Sequence, residues 1–239
     1  QRPINNGQRC FNWFRHTDAT RDQGEALSIR QMIAALQTRH AIDPERIYVT
    51  GLSAGGAMTA VMLATYPEVF AGGAIMAGVP YGCASGMLSG FWCMLWGRDL
   101  AAAEWEKKVR DATAGLSLAR RPAKLSLWQG DEDGWVVEMN QQELLEQWSD
   151  VFGIDRQPEV QDHVHGFPHA VYHDQAGTPR LETYKITGMS HGQPIAPGKE
   201  IVQCGVSSDY LLDVGICASY HSARFWGLQN PPTSLEVSQ

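Results

Sequence analysis

The chain has 239 residues, 44% of them hydrophobic and 19% charged, with a net charge of −7. That length and balance fit one globular domain with a sizeable core and exclude a low-complexity or disordered chain. No basic cluster points to a nucleic-acid partner and no run of about 18 apolar residues points to a membrane span. The N-terminal stretch QRPINNGQRC lacks a charged-then-apolar signal pattern, so any export signal is expected to be gone already.

Residues 23–40 place Ala26, Ile29, Ile33 and Leu36 at helical spacing and predict an amphipathic helix, which Asp43-Pro44 ends. Residues 46–50 (RIYVT) are a short apolar, β-branched run, as expected of a strand buried on both faces. A glycine-rich turn, GLSAGGA, follows, then a helix ending near Pro67 and a second buried strand at 73–78. Strand, turn, helix and strand make the βαβ unit of a parallel α/β sheet. Residues 80–96, rich in Gly, Cys, Met and aromatics without periodicity, predict a structured loop overhanging a site. Residues 101–115 predict a surface helix, 124–129 a third strand and 140–152 a helix. Residues 166–187 read as two strands joined at Ala176-Gly177, and a closing helix falls within 208–228. The expected fold class is α/β, with 1–239 belonging to a single domain without repeats or linkers.

The five cysteines, Cys10, Cys83, Cys93, Cys204 and Cys217, show no zinc spacing, so no metal site is expected. Cys83 with Cys93 and Cys204 with Cys217 are the local pairs that disulfides would join, which points to a secreted or periplasmic setting. The alternative is a set of buried thiols in a cytosolic enzyme.

Chemistry concentrates at Gly51-Leu52-Ser53-Ala54-Gly55, a G-x-S-x-G between a buried strand and a helix. A sharp strand-to-helix turn strains the backbone, and glycines two residues either side of Ser53 relieve the crowding. The hydroxyl is left exposed, with the Ala54 N–H at the positive helix end as an oxyanion donor. A serine nucleophile needs a base and the base an orienting acid, here in the chain order serine, acid, histidine. Asp133, just past the third strand, and His191, just past the last, meet that order; Asp131 competes for the acid role and Glu132 is remoter. Trp128, Trp135, Tyr81 and Trp92 are candidates to line an acyl or aryl pocket, with plain core packing as the other reading. His163, His165, His169 and His173 cluster, but no cysteine or acidic pattern completes a metal site, and a solvated edge strand accounts for them. His16, His40 and His221 have no partner legible in the sequence.

The segments CFNWF, GEALSIRQM, IDPERIYVTGLSAGGAMTAVMLATYPEVFAGGAIMAG, VPYGCA and GMSHGQP together resemble the poly(3-hydroxybutyrate) depolymerase family of secreted esterases. Feruloyl and acetylxylan esterases are its near relatives. The resemblance implies an α/β-hydrolase fold and cofactor-free hydrolysis of esters, the polymeric ones included, with Ser53 as nucleophile and His191 as base. Its acid motif, H-G-x-x-D-x-x-V, matches Gly130, Asp133 and Val136, and this chain carries Gln129 where the pattern has histidine. That departure bears on local substrate fit rather than on the chemistry.

Only about fifty residues precede Ser53, holding one helix and one convincing strand, whereas the implied fold sets several strands before its nucleophile. A strand apolar throughout also calls for neighbours on both edges. The chain is therefore expected to be the C-terminal part of a longer domain. Roughly 60 to 100 residues, or two to three βα units, would be supplied by a missing N-terminal segment or a complementary chain. The second oxyanion donor would come from there, as would a partner for Cys10. A peptidase or acyltransferase with the same triad, and an inactive polymer-binding module, are the rival readings.

Overall fold

The structure, a computed structural model, describes residue 6 and residues 9–113, 115–116 and 123–228. The first elements are a short helix His16–Ala19 (α1), helix Gly24–Arg39 (α2), strand Tyr48–Leu52 (β1), helix Ala54–Thr65 (α3) and strand Gly72–Met76 (β2). Helices Met87–Trp96 (α4) and Ala102–Ala112 (α5), strand Lys124–Gly130 (β3) and helix Met139–Phe152 (α6) follow. Strands Val160–Val164 (β4), Phe167–His173 (β5) and Pro179–Ile186 (β6), the short Gln193–Ile195 (β7) and Leu211–Asp213 (β8), and helix Ala218–Phe225 (α7) complete the order.

Six strands form one sheet in the order β1-β2-β3-β6-β5-β4. The first four run parallel, and β5 and β4 are antiparallel additions at the far edge. This is the mostly parallel sheet flanked by helices that the sequence predicts. One register row crosses the parallel part: Leu52 pairs with Met76, Met76 with Trp128, and Trp128 with Tyr184. The carboxyl ends of β1, β2, β3 and β6 thus align along one rim, where ligand sites of open α/β sheets lie.

The two faces of the sheet divide the side chains of β3 by alternation. Leu125 and Leu127 join the larger core, with Met58, Val61 and Met62 of α3, Trp105 of α5 and Trp148 of α6. Trp128 points to the opposite face and packs with Tyr184, Ile186 and the α7 residue Ala218. α3 is apolar all round, and every residue from Gly56 to Thr65 is buried, as a helix without a polar face requires. Each fully buried Met or Leu there contributes about 1.5–3 kcal/mol.

Several boundaries differ from expectation. β1 begins at Tyr48, two residues late, because Pro44–Arg46 form a 3₁₀ turn started by the Asp43 side chain accepting the Glu45 N–H. The expected loop at 80–96 contains a ten-residue helix, α4. Its sequence MLSGFWCMLW has no polar face, so no amphipathic period betrays it. β4 reads as polar because it is an exposed edge, and β7 and β8 are three residues each. The predicted helix at 101–115 ends at Ala112, and position 114 lies outside the described residues.

β1 has one strand neighbour, β2, so among the described residues its other edge is open rather than paired on both sides. On α2, Met32 and Leu36 remain 57% and 48% exposed. Both expected disulfides form, Cys83–Cys93 and Cys204–Cys217, with Cα–Cα distances of 6.2 Å and 5.6 Å. Cys10 takes part in neither. No helix among the described residues is long and apolar enough to cross a membrane.

Candidate active site

Ser53 follows β1 directly at φ 58° and ψ −121°, a backbone state that costs a non-glycine residue about 1–3 kcal/mol. The sheet holds it there. The Ser53 N–H donates to the Met76 carbonyl at 2.9 Å, and the Ser53 carbonyl accepts from the Ala57 N–H at 2.9 Å. A Cβ on Gly51 would collide with the Gly55 backbone, and one on Gly56 would sit 2.9 Å from the Met76 carbonyl oxygen. A Cβ on Gly55 would meet nothing within 4 Å. The turn therefore requires Gly51 and Gly56, not the symmetric pair Gly51 and Gly55 that the motif suggests. Ala54, the first residue of α3, has an N–H with no intrahelical acceptor, at the positive end of the helix dipole.

Asp133 and His191 come from the loops after β3 and β6, which are neighbouring strands. The two loops are laced together: Glu132 N–H donates to the Met189 carbonyl (3.2 Å) and Gly188 N–H to the Asp131 carboxylate (2.7 Å). Gly130 permits this approach, since a Cβ there would collide with the Met189 carbonyl. His191 Nδ1 lies 2.8 Å from Asp133 Oδ2, while Asp133 Oδ1 accepts the N–H groups of Trp135 (2.9 Å) and Val136 (2.8 Å). Burial alone would raise the Asp133 carboxyl. The His191 hydrogen bond, the Val136 and Trp135 amides and the His191 charge outweigh it and hold the group below the ordinary carboxylate range. Facing an ionised carboxylate, Nδ1 carries the proton and Nε2 remains as the basic nitrogen. Of the rival acids, Asp131 is engaged with Gly188 and Glu132 is exposed.

Ser53, Ala54 and His191 line one cavity of about 490 Å³. Phe11, Phe14, Met87, Phe91 and Trp135 form apolar walls around them, and no Asp, Glu, Lys or Arg is among its described lining residues. Of the tryptophans and tyrosine singled out from sequence, Trp135 stands on this wall, 58% exposed. Trp128 does not: it is 1% exposed on the other face of the sheet, stacked on Tyr184 at 3.7 Å between centroids. Tyr81 packs beside the main core, its backbone paired with the Gln147 amide and its hydroxyl donating to the Ala19 carbonyl. Trp92 is 65% exposed on the outer side of α4. The wall residues Met87, Phe91 and Met94 were missed together, although they recur at helical spacing once 87–96 is recognised as a helix. Phe11 and Phe14, inside the CFNWF segment, and Tyr210 come from irregular segments whose pattern does not say that they face the site.

Gln129 is not among the residues that line the cavity. It is 1% exposed and donates to Asp133 Oδ2 (3.3 Å), to the Val136 carbonyl (2.8 Å) and to the Gly130 carbonyl (3.1 Å). Among the clustered histidines, His163 and His165 are exposed on the edge hairpin. His169 instead turns inward, 2.7 Å from Asp162 and 3.4 Å from the buried Glu182. No group of three or more metal-ligating side chains gathers among the described residues.

The model of the Esterase PHB depolymerase family matches residues 1–156. A poly(3-hydroxyalkanoate) depolymerase C of Paucimonas lemoignei is 50% identical over 228 residues, 95% of this chain and 55% of that protein. A feruloyl esterase B of Thermothelomyces thermophilus is 37% identical over 142 residues, 57% of this chain and 48% of that protein. The chain thus spans about half the length of these curated relatives. Among solved structures, an acetyl xylan esterase from Aspergillus awamori superposes with a TM-score of 0.74 at 22% identity, over 92% of this chain and 73% of that one. A PHB depolymerase solved with an R3HB trimer gives 0.56 at 20% identity, over 77% and 52%. The sheet is therefore that of an α/β-hydrolase, and the chain belongs to the esterase PHB depolymerase family.

Proposed function

We propose that this chain is the catalytic part of a secreted serine esterase that hydrolyses hydrophobic carboxylic esters, polyhydroxyalkanoate-type polyesters foremost. The observation that carries the reading is the Asp133–His191 hydrogen bond at 2.8 Å, with His191 lining the same cavity as Ser53, in which no Asp, Glu, Lys or Arg is among the described lining residues. His191 Nε2 takes the Ser53 proton as the oxygen attacks the ester carbonyl, and Asp133 holds the imidazole in the required tautomer. The Ala54 N–H stabilises the oxyanion. The alcohol leaves with the proton from His191, and water, deprotonated by His191, releases the acid from Ser53.

An uncharged polymer is favoured by the surroundings of the cavity. Leu88, Trp92 and Trp96 of α4 are 86%, 65% and 64% exposed and continue the apolar wall of Met87 and Phe91 outward. Asn140 donates to the Cys93 and Met94 carbonyls and the Cys83–Cys93 disulfide anchors the same turn, so the C-terminal half of α4 is tied to the core. The aromatic wall also accommodates a feruloyl ring, the second substrate reading. The two disulfides support an oxidising, extracellular setting. The open edge of β1 supports a completing strand there, from elsewhere in the protein or from a complementary chain.

Full-length protein assayed against p-nitrophenyl esters, feruloyl esters and polyester films tests the reading. Fluorophosphonate labelling that vanishes in Ser53→Ala is the expected result; labelling that persists removes Ser53 from the mechanism. Binding to polymer without ester turnover would favour an inactive binding module.

A further inference from the structure

We infer that Gln129 is a positioning residue for the acid of the triad, setting how much of the Asp133 charge reaches His191. The inference rests on the triad reading and deepens it. Three acceptors surround Gln129 Nε2, the Asp133 carboxylate and the carbonyls of Val136 and Gly130. Only an N–H group satisfies that ring, so the amide orientation is fixed by its neighbours rather than by choice. Two protons serve three acceptors: one takes Val136 at 2.8 Å and the other faces both Gly130 and Asp133 Oδ2.

Asp133 Oδ2 is the oxygen that also receives His191 Nδ1. The second donor on the same atom draws charge away from the imidazole and prevents the carboxylate from turning, while the Trp135 and Val136 amides pin Oδ1. The carboxylate therefore has four donors, and Gln129 supplies the only one of them that is a side chain outside the triad. Among the described residues, Tyr210 stands edge-on to His191 at 6.2 Å between ring centroids and makes no contact with the Asp133 carboxylate. Asp131 is bonded to Gly188, Glu132 is exposed, and β3, which carries Gln129, is buried along its length from Leu125 onward.

Replacing Gln129 by Met keeps the length and removes the donors. Two effects follow: Oδ2 turns more charge toward His191 and favours the imidazolium, and the carboxylate, held by the two Oδ1 amides alone, orients the imidazole less firmly. The acidic limb of the kcat/KM profile on a soluble p-nitrophenyl ester in Q129M should then move up by about half a pH unit. kcat should fall about tenfold with KM little changed. Q129H, which restores an N–H, should return both toward wild type. A role in folding alone would lower the melting temperature without moving the limb, and the His variant would not correct the profile. A folded Q129M with wild-type kcat and an unmoved limb overturns the inference, as does an activity loss that leaves the limb in place. D133N, measured in parallel in the full-length protein, separates the two readings. If D133N collapses while Q129M is unchanged, only the role of Gln129 falls; if D133N retains full activity, the triad assignment falls and takes this inference with it.

Discussion

His221 is expected to make the stability of this fold acid-sensitive, from the face of the sheet opposite the main core. It sits on α7, 6% exposed, among the rings of Trp128, Tyr184 and Tyr220, and its Nε2 is buried without a hydrogen-bond partner among the described residues. Burial first, then the nearby charges of His165, Arg224 and His169, push it down from the ordinary 6.5 to about 4. A depressed folded value means that the unfolded chain takes the proton first. The stability that neutral His221 allows is complete above pH 6.5 and is lost as pH falls toward 4. At about 1.4 kcal/mol per pH unit the loss is about 3 kcal/mol, a large share of the 5–15 kcal/mol typical of a domain. His221→Phe keeps a ring in the aromatic cage and removes the titration. Urea unfolding of wild type and H221F at several pH values between 4 and 7 measures the difference. The variant should gain about 3 kcal/mol on the wild type between pH 6.5 and pH 4. Curves that stay parallel across that interval would refute the assignment of a buried neutral imidazole.

Gly55→Ala should fold and stabilise α3 by up to about 1 kcal/mol, whereas Gly56→Ala, whose Cβ faces the Met76 carbonyl at 2.9 Å, should lower the melting temperature and the labelling of Ser53. Asp133→Asn should cost about 10³- to 10⁴-fold in kcat by leaving His191 in the wrong tautomer; Asp131→Asn, which keeps an acceptor for Gly188, should cost at most about tenfold. Replacing Leu88, Trp92 and Trp96 together by Ser should reduce adsorption to and erosion of polyester film while sparing turnover of a soluble p-nitrophenyl ester. Equal losses on both substrates would assign those side chains to the structure of the wall rather than to polymer contact.

How much of this was legible in the sequence depends on how local each feature is. The elbow was legible because strand, turn and helix are contiguous, so periodicity and two glycines specify it. Which glycines matter was not, since the Gly56 requirement comes from Met76 and Gly78, twenty and twenty-two residues away. α4 escaped because helix detection relies on a polar face, and here the apolar side chains point both inward and out, with Gly90 and Cys93 buried and Leu88 and Trp92 exposed. Trp128 was misplaced for a related reason: alternation along β3 sends it and Leu127 to opposite faces, but a strand buried on both shows no pattern to say which face holds the site.

The two halves of the site are built by different means, and this separates how they fail. Ser53 is held by local strain, through hydrogen bonds to Met76 and Ala57 and the tight passage of Gly51 and Gly56. Asp133 and His191 lie 58 positions apart in sequence, and meet only because β6 inserts beside β3 and the loops beyond them are bonded to each other. Chain order alone could name these two residues but not bring them together; the strand order β3-β6 does that. A change confined to the turn at Ser53 therefore disturbs the proposed nucleophile and leaves the Asp133–His191 pair intact, while a change in the register of β3 against β6 separates that pair and leaves Ser53 in place. Gln129 belongs to the second half, one residue before β3 ends, where the register of the sheet and the orientation of the acid meet.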